Sequence, residues 1–347
     1  MSIVSAIVKY IPQEFSEIKS TWKDAAYSNI YYYTLLVNQE KKLLDSFRIQ
    51  DIPVVVLKGT SAAQYYPNPH FRTMGDIDLL VKPEDYDRAA NHLRGIGCVE
   101  TTTLVEKERG RRQSFSLNEI SIELHHRFSS RINAEKAFEL DNMLFNAIPS
   151  KSSFLPEEEN GLVLLTHIAQ HIRKGLGLRQ IIDWLMYVRF YLIDEKWYSS
   201  FQNKVKKTGL ETYAKILTKM CQLYLGLTTE NITWCNDADD KICESLIQYV
   251  MECGNFGGHR NVLQSSTIEV IPKLGHPIRL LKFLQKRGEC NWKAIKRHSW
   301  LKPIAWGYQL LRYLTIAIHN KVGARKLEQI YSKGQKRNEL FDALEGY

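Results

Sequence analysis

Residues 75–81 read Gly75-Asp76-Ile77-Asp78-Leu79-Leu80-Val81, an apolar run interrupted by two aspartates at a spacing of two. In an extended strand, residues i and i+2 point to the same face, with Cα atoms roughly 6.6 Å apart. Asp76 and Asp78 are therefore expected to converge on one side, with Ile77 and Leu79 packed on the other. A chain built around this segment needs a sheet with one apolar face and one acid-bearing face.

The surrounding pattern supplies that sheet. Residues 23–49 have helical apolar spacing, with Tyr32, Leu35, Leu36, Leu43 and Leu44 as candidates for the buried face, and end near Gln50-Asp51-Ile52-Pro53. Val54-Val55-Val56-Leu57 reads as a short buried strand between Pro53 and Gly59. The run Ile77–Val81 is the next strand, and Pro83 suits the first turn of a helix to about Leu93 that Gly95 and Gly97 end. Residues 113–117 and 120–126 alternate around Asn118-Glu119, which predicts an antiparallel hairpin and hence a mixed sheet.

Beyond Pro156 the pattern becomes helical, over Leu162–Ile172, Ile181–Leu192, Ala214–Leu225 and Ile242–Met251. The expected fold class is α+β, a mixed β-sheet with flanking helices followed by a mainly helical C-terminal domain. The organisation read from this is an N-terminal extension (1–24), a sheet-containing domain (25–150) and a helical domain with a basic end (151–347). A chain of 347 residues with 44% hydrophobic and 24% charged residues can bury a large core, which argues against wholesale disorder.

The acid-bearing face acquires a third member in Ser121-Ile122-Glu123-Leu124-His125, where Ile122 and Leu124 hold the apolar phase and Glu123 the other. Pairing this strand with that of Asp76 and Asp78 would bring Glu123 beside them. Carboxylates as close as Asp76 and Asp78 repel one another unless a cation is present, and a two-metal site with ions about 3.5–4 Å apart would use both, with Glu123 available as a third acid. Mg²⁺, or Mn²⁺ in its place, would be held with substrate phosphates and water completing its shell.

Together, Leu57-Lys58-Gly59, Tyr66-Pro67, Arg72, Gly75-Asp76-Ile77-Asp78-Leu79-Leu80-Val81 and Ile122-Glu123-Leu124-His125 resemble a little-characterised bacterial nucleotidyltransferase-like family. That family falls in the superfamily that includes DNA polymerase beta. The resemblance covers about residues 25–190 and implies a nucleotidyltransferase-type sheet that moves a nucleoside monophosphate from an NTP to a hydroxyl-bearing acceptor, releasing pyrophosphate. It implies that Asp76, Asp78 and Glu123 hold the metal, that Gly59 lets the backbone approach the triphosphate, and that Thr60 or Ser61 donates a hydroxyl to phosphate. Lys58 and Arg72 would be the phosphate-binding cations, Arg72 having the planar fork that suits phosphate oxygens. Three departures stand out: the turn reads Gly59-Thr60 where the superfamily has Gly-Gly or Gly-Ser, the interval from Gly59 to Asp76 is long, and Glu123 stands where many relatives carry aspartate. The acceptor is open between a small molecule, a sugar, a protein side chain and an RNA end, and a non-catalytic nucleotide-binding or regulatory protein is the alternative.

Other motifs carry less. His167 and His171 share a helix face, but Ile168 excludes a His-Glu-x-x-His site, and packing or hydrogen bonding on the acceptor side of the cleft is preferred to zinc. Arg179 and Asp183, four apart, are expected to pair along their helix. Lys58-Gly59-Thr60-Ser61 lacks the order of a phosphate loop, and Gly175-Leu176-Gly177 lacks the third glycine of a dinucleotide fingerprint. Six scattered cysteines (Cys98, Cys221, Cys235, Cys243, Cys253, Cys290) contain no Cys-x-x-Cys and read as reduced packing residues.

The net charge of +9 is concentrated in residues 271–347, which hold 16 Lys and Arg against 5 Asp and Glu. Such a region suits a peripheral anionic membrane or RNA contact, and a second alternative makes the chain an RNA-binding module through it; solvated lysines on helices fit equally well. The segment Trp300–Leu314, with Trp306, Tyr308, Leu310, Leu311, Tyr313, Lys302 and Arg312, could lie on either partner, although core packing is preferred. No run is apolar enough to span a bilayer, and a cytoplasmic location is the expectation.

Overall fold

The computed structural model describes residues 12–103, 110–129, 134–173, 175–254, 299–301, 303–304, 306–308, 311 and 337–344. A long helix, α1 (Ser16–Ile49), precedes the sheet and buries Leu36, Glu40, Leu43 and Phe47. Tyr33, Val37 and Leu44 flank that stripe. Positions three and four apart share a helix face, and Tyr32 and Leu35 fall off this one, standing 37% and 40% exposed instead of buried as expected.

The strands are β1 (Val55–Leu57), β2 (Asp76–Leu80), β3 (Val99–Glu100), β4 (Arg112–Leu117) and β5 (Ile120–His125), with α2 (Gly59–Ala63) after β1 and α3 (Tyr86–Gly95) after β2. They form a mixed sheet in the order β1-β2-β5-β4-β3, parallel between β2 and β5 and antiparallel elsewhere. The β4–β5 hairpin turns at Asn118 and Glu119, with φ of 51° and 65°. Two successive left-handed residues are what a two-residue hairpin of type I′ requires.

The period-two alternation sorts the sheet into two faces. Val56, Ile77, Leu79, Phe115, Ile122 and Leu124 pack with α1 and with Ala89, Ala90 and Leu93 of α3 in one core. Val55, Leu57 and Leu80 belong to a second core shared with the later helices. Those helices are α4 (Ala134–Asn146), α5 (Glu157–His171), α6 (Leu178–Phe190), α7 (Gln202–Thr208), α8 (Glu211–Tyr224) and α9 (Asp240–Cys253). At the heart of this layer Trp184, Tyr187, Trp197 and Phe201 are fully buried, and burying each aromatic side chain contributes on the order of 2 kcal/mol.

The layers are joined by polar contacts as well as apolar ones. Asn160 of α5 accepts from the Ser61 hydroxyl at 2.9 Å and donates to the Ser61 carbonyl at 3.1 Å. Arg72, in the loop before β2, donates twice to Asp183 of α6, at 2.8 Å each. These contacts set α5 and α6 above the polar face of β2 and β5, which leaves a cleft between sheet and helices.

Cys98, Cys221, Cys235, Cys243 and Cys253 are free and buried, as packing residues should be. Among the described residues no helix is long and apolar enough to cross a membrane. Most of the basic region 271–347 lies outside the described residues, as do Lys302, Leu310, Arg312 and Tyr313. Of the rest of that segment, Trp300, Tyr308 and Leu311 are exposed, contrary to the preferred core packing, whereas Trp306 is half-buried and Leu301 is buried.

Candidate active site

The two acid-bearing strands are register partners. Asp76 lies opposite Ser121, Asp78 opposite Glu123, and Leu80 opposite His125. In a paired sheet, opposed residues share a face, so Asp76, Asp78, Glu123 and His125 all project toward the helices. They line a cavity of about 320 Å³ together with Lys58, Gly59, Arg72 and Met74 from the sheet side, Arg111 and Arg112 at the start of β4, and His167, Gln170, His171 and Arg179 from the helical wall. That volume lies within the range of small-ligand pockets, and the lining is rich in charge.

Asp78 is the hub. Its Oδ1 lies 2.7 Å from Lys58 Nζ and 3.0 Å from His125 Nε2, and the same imidazole nitrogen lies 3.3 Å from Glu123 Oε2. Arg112 Nη1 hydrogen-bonds the same Glu123 oxygen. Asp78 is only 2% exposed. Burial works to raise its pKa, but the Lys58 charge and the His125 hydrogen bond win, holding the carboxyl well below the usual carboxylate range. Asp76 behaves oppositely: the negative charge of Asp78 first, and burial second, push it up to about 6.

Lys58 reaches Asp78 through an unusual backbone. It joins β1 to α2 with φ 56°, and Gly59 follows at φ 31°. A lysine in the left-handed region costs of order 1 kcal/mol or more, and such outliers persist where the surroundings over-determine them. Burial alone would lower the Lys58 pKa, but Asp78, Asp76 and Glu123 raise it, so the ammonium stays charged. A methyl group on Gly59 would find Met74 Sδ at an ordinary 3.8 Å, so the backbone angle is what the glycine supplies.

Two residues anticipated at the phosphates are turned elsewhere. Thr60 donates its hydroxyl to Glu40 Oε1 at 2.6 Å and Ser61 donates to Asn160, and neither lines the cavity. Both sit on α2, where their hydroxyls satisfy buried acceptors of α1 and α5 that would otherwise be unpaired. Arg72 does line the cavity, but it is 4% exposed and its Nε and Nη2 are held by Asp183. Tyr66 donates to the same carboxylate at 2.7 Å. The partner that Asp183 grips in bidentate fashion is thus Arg72, whereas Arg179 of the same helix donates to the Thr73 carbonyl at 3.1 Å.

His125, in contrast, received no role from the sequence. Asp78, Glu123 and His125 each offer a donor atom within 4.8 Å of the others. The period-two step from Glu123 to His125 carried the signal, because it places the imidazole on the same face as the carboxylate. The fit to a divalent cation is chemical as well as geometric: the mutual repulsion that lifts Asp76 is relieved by added positive charge. On the opposite wall, His167 and His171 meet edge to face at 4.6 Å. Burial, followed by the charges of Lys58 and His171, holds His167 neutral, well below its usual pKa.

A family model described as an uncharacterised nucleotidyltransferase matches residues 5–226. The match includes every strand and the elements through α8. No curated protein and no solved structure matches the chain.

Proposed function

The chain belongs to this uncharacterised nucleotidyltransferase family, and from that premise we propose that it transfers a nucleoside monophosphate from an NTP to a hydroxyl-bearing acceptor in the cavity between sheet and helices. The observation that carries this reading is the pairing of Asp78 with Glu123, with Asp76 one pleat away, on the cavity face of a strand pair whose other face is buried. In this reading the unit spanning 25–150 supplies the carboxylates, and the helices beyond 150 supply the acceptor wall.

Asp76, Asp78 and Glu123 would hold Mg²⁺ or Mn²⁺, with His125 beside them. The bound cation would supply positive charge against the negative charge that develops on the α-phosphate and the departing pyrophosphate. Lys58, already charged and 14% exposed toward the cavity, binds triphosphate oxygens once its hold on Asp78 is relaxed. Gly59 lets the chain turn so that this ammonium faces the site. Arg72 has Nε and Nη2 held by Asp183, which aims the guanidinium and leaves the two hydrogens of Nη1 and the second of Nη2 for a phosphate.

The acceptor enters against α5 and α6. His167 is kept neutral, so its imidazole accepts a hydrogen bond from the incoming hydroxyl and directs that oxygen at the α-phosphorus. A bond forms between this oxygen and phosphorus, the bond from phosphorus to the bridging oxygen of the β-phosphate breaks, and pyrophosphate leaves with the electron pair. The hydroxyl proton is released to water.

The test is pyrophosphate release from each of the four NTPs with Mg²⁺ or Mn²⁺, with a cell extract as the source of acceptor. Release by wild type and its loss in Asp78→Asn support the reading. Nucleotide binding without release from any NTP would favour a nucleotide-binding regulator. That second reading has its own support, since Lys58, Arg112 and His125 already neutralise Asp78 and Glu123.

A further inference from the structure

Two carboxylate oxygens and one imidazole nitrogen converge at the floor of the cavity: Asp78 Oδ1, Glu123 Oε2 and His125 Nε2. We propose that His125 is a direct metal ligand, so that Asp78, Glu123 and His125 form a nitrogen-containing site selective for a first-row transition ion such as Mn²⁺ over Mg²⁺. This deepens the reading of Asp78 and Glu123 as cation ligands and rests on it.

The distances fit a single shared ion. Ligand atoms about 2.1 Å from one ion and at right angles to each other stand roughly 3.0 Å apart. His125 Nε2 lies 3.0 Å from Asp78 Oδ1 and 3.3 Å from Glu123 Oε2. One imidazole nitrogen thus spans both carboxylates at the spacing that ligands of a single ion adopt. Hydrogen bonding alone gives similar distances, so ion selectivity has to separate the two cases.

Rigidity comes next. Glu123 and His125 are successive same-face residues of β5, and Asp78 is the register partner of Glu123. Asp78 and His125 are 2% and 6% exposed, and the His125 ring meets Phe128 edge to face at 6.2 Å. The three side chains therefore leave a paired, buried scaffold, which fixes donor positions better than a loop does.

Donor type then decides the ion. Mg²⁺ demands oxygen ligands and gives up water reluctantly, whereas imidazole nitrogen suits first-row transition ions. Carboxylate oxygens suit both Mg²⁺ and Mn²⁺, and a nitrogen in the set widens the gap in favour of Mn²⁺.

Lys58 completes the picture as a competitor. Its ammonium sits 2.7 Å from the same Asp78 oxygen that faces His125. An ion bound to that oxygen displaces Lys58 from it, which frees the ammonium for a phosphate. Removing the ammonium should therefore tighten ion binding.

The experiment uses the full chain, with Mn²⁺ binding followed by electron paramagnetic resonance, electron spin-echo spectra recorded on bound Mn²⁺, and Mg²⁺ binding followed by calorimetry. Wild type is expected to bind Mn²⁺ at least about tenfold more tightly than Mg²⁺ and to show a nitrogen coupling. His125→Gln should abolish that coupling and weaken Mn²⁺ by about tenfold or more while moving Mg²⁺ less than about threefold. His167→Gln should leave the coupling in place, and Lys58→Ala should tighten both ions. Absence of nitrogen coupling in wild type overturns the assignment whether or not any variant folds. Coupling that survives His125→Gln, or equal affinity for the two ions, overturns it as well. Nitrogen-coupled Mn²⁺ in a protein that transfers no nucleotide would instead sink the transferase reading and leave this one standing.

Discussion

Asp78 of β2 and Glu123 of β5 face each other directly across a parallel strand pair, 45 positions apart in the chain yet in register. Parallel pairing needs a crossover, and α3 with the β3–β4 segment supplies it, so the two acids can meet only after this part of the sheet has formed. The site is therefore a property of tertiary structure although both of its halves are local motifs.

Asp78→Asn removes the hub of this cluster. Transfer should fall by about 10²-fold or more, the scale at which a lost electrostatic contact to a transition state acts. Because the Lys58 ammonium would lose its buried partner, stability should also fall, by about 3 kcal/mol. Thermal melts alongside pyrophosphate assays separate the two effects. Asp76→Asn, relieved of the repulsion that lifts the Asp76 pKa, should lose transfer and stay stable. Full activity in both variants would reject the assignment.

Arg72 and Asp183 hold the roof of the cavity to its floor with side chains only 4% and 2% exposed. Asp183→Ala should cost about 3–5 kcal/mol, because an uncompensated guanidinium would remain buried. Tyr66→Phe, which removes one donor to the same carboxylate, should cost about 1–2 kcal/mol. Denaturant titration measures both, and an Asp183→Ala change below 1 kcal/mol would contradict the packing described here.

Glu40 supplies a pH signature away from the cavity. It is 7% exposed, and burial outweighs the hydrogen bond from Thr60 to push its pKa up from 4.5 to about 7. A carboxyl raised on folding favours the native state when protonated. Its contribution is complete below pH 4.5 and is lost as pH rises through 7, amounting to about 3 kcal/mol. Glu40→Gln keeps the acceptor for Thr60 and should be the more stable protein at pH 8, with the gap closing toward pH 4.5. Parallel stability curves for the two proteins would show that Glu40 is not held this way.

Gly161 of α5 has no room for a side chain. A Cβ there would overlap the Tyr187 hydroxyl oxygen and fall 2.5 Å from the adjacent ring carbon. Tyr187 is fully buried, so Gly161→Ala should cost about 1–3 kcal/mol through overpacking despite its gain in helix propensity. A melting temperature at or above that of wild type would refute this.

Much of this site was legible in the sequence because a strand alternates faces. Ile77 and Leu79 mark one face of β2 and leave Asp76 and Asp78 on the other, and Ile122 and Leu124 do the same for Glu123. The same rule placed His125, but a histidine at a strand end carries no role of its own until Asp78 is seen beside it. Periodicity cannot report a partner 111 residues away, so Arg72 read as a phosphate ligand and Asp183 as a mate for Arg179. The contacts of Thr60 and Ser61 are hidden from the sequence for a related reason: the five residues of α2 are too few to show a period, and their hydroxyls point to Glu40 and Asn160, which lie on other helices.

The most direct test of nucleotidyl transfer is the fate of label. Wild-type protein would be incubated with cell extract and a divalent cation, and with NTP carrying ³²P at either the α or the γ position. Acceptor should be labelled from the α position alone, with γ label recovered in pyrophosphate, and neither outcome should be seen with Asp78→Asn. Acceptor labelled from the γ position, or transfer undiminished in Asp78→Asn, would contradict the proposed function.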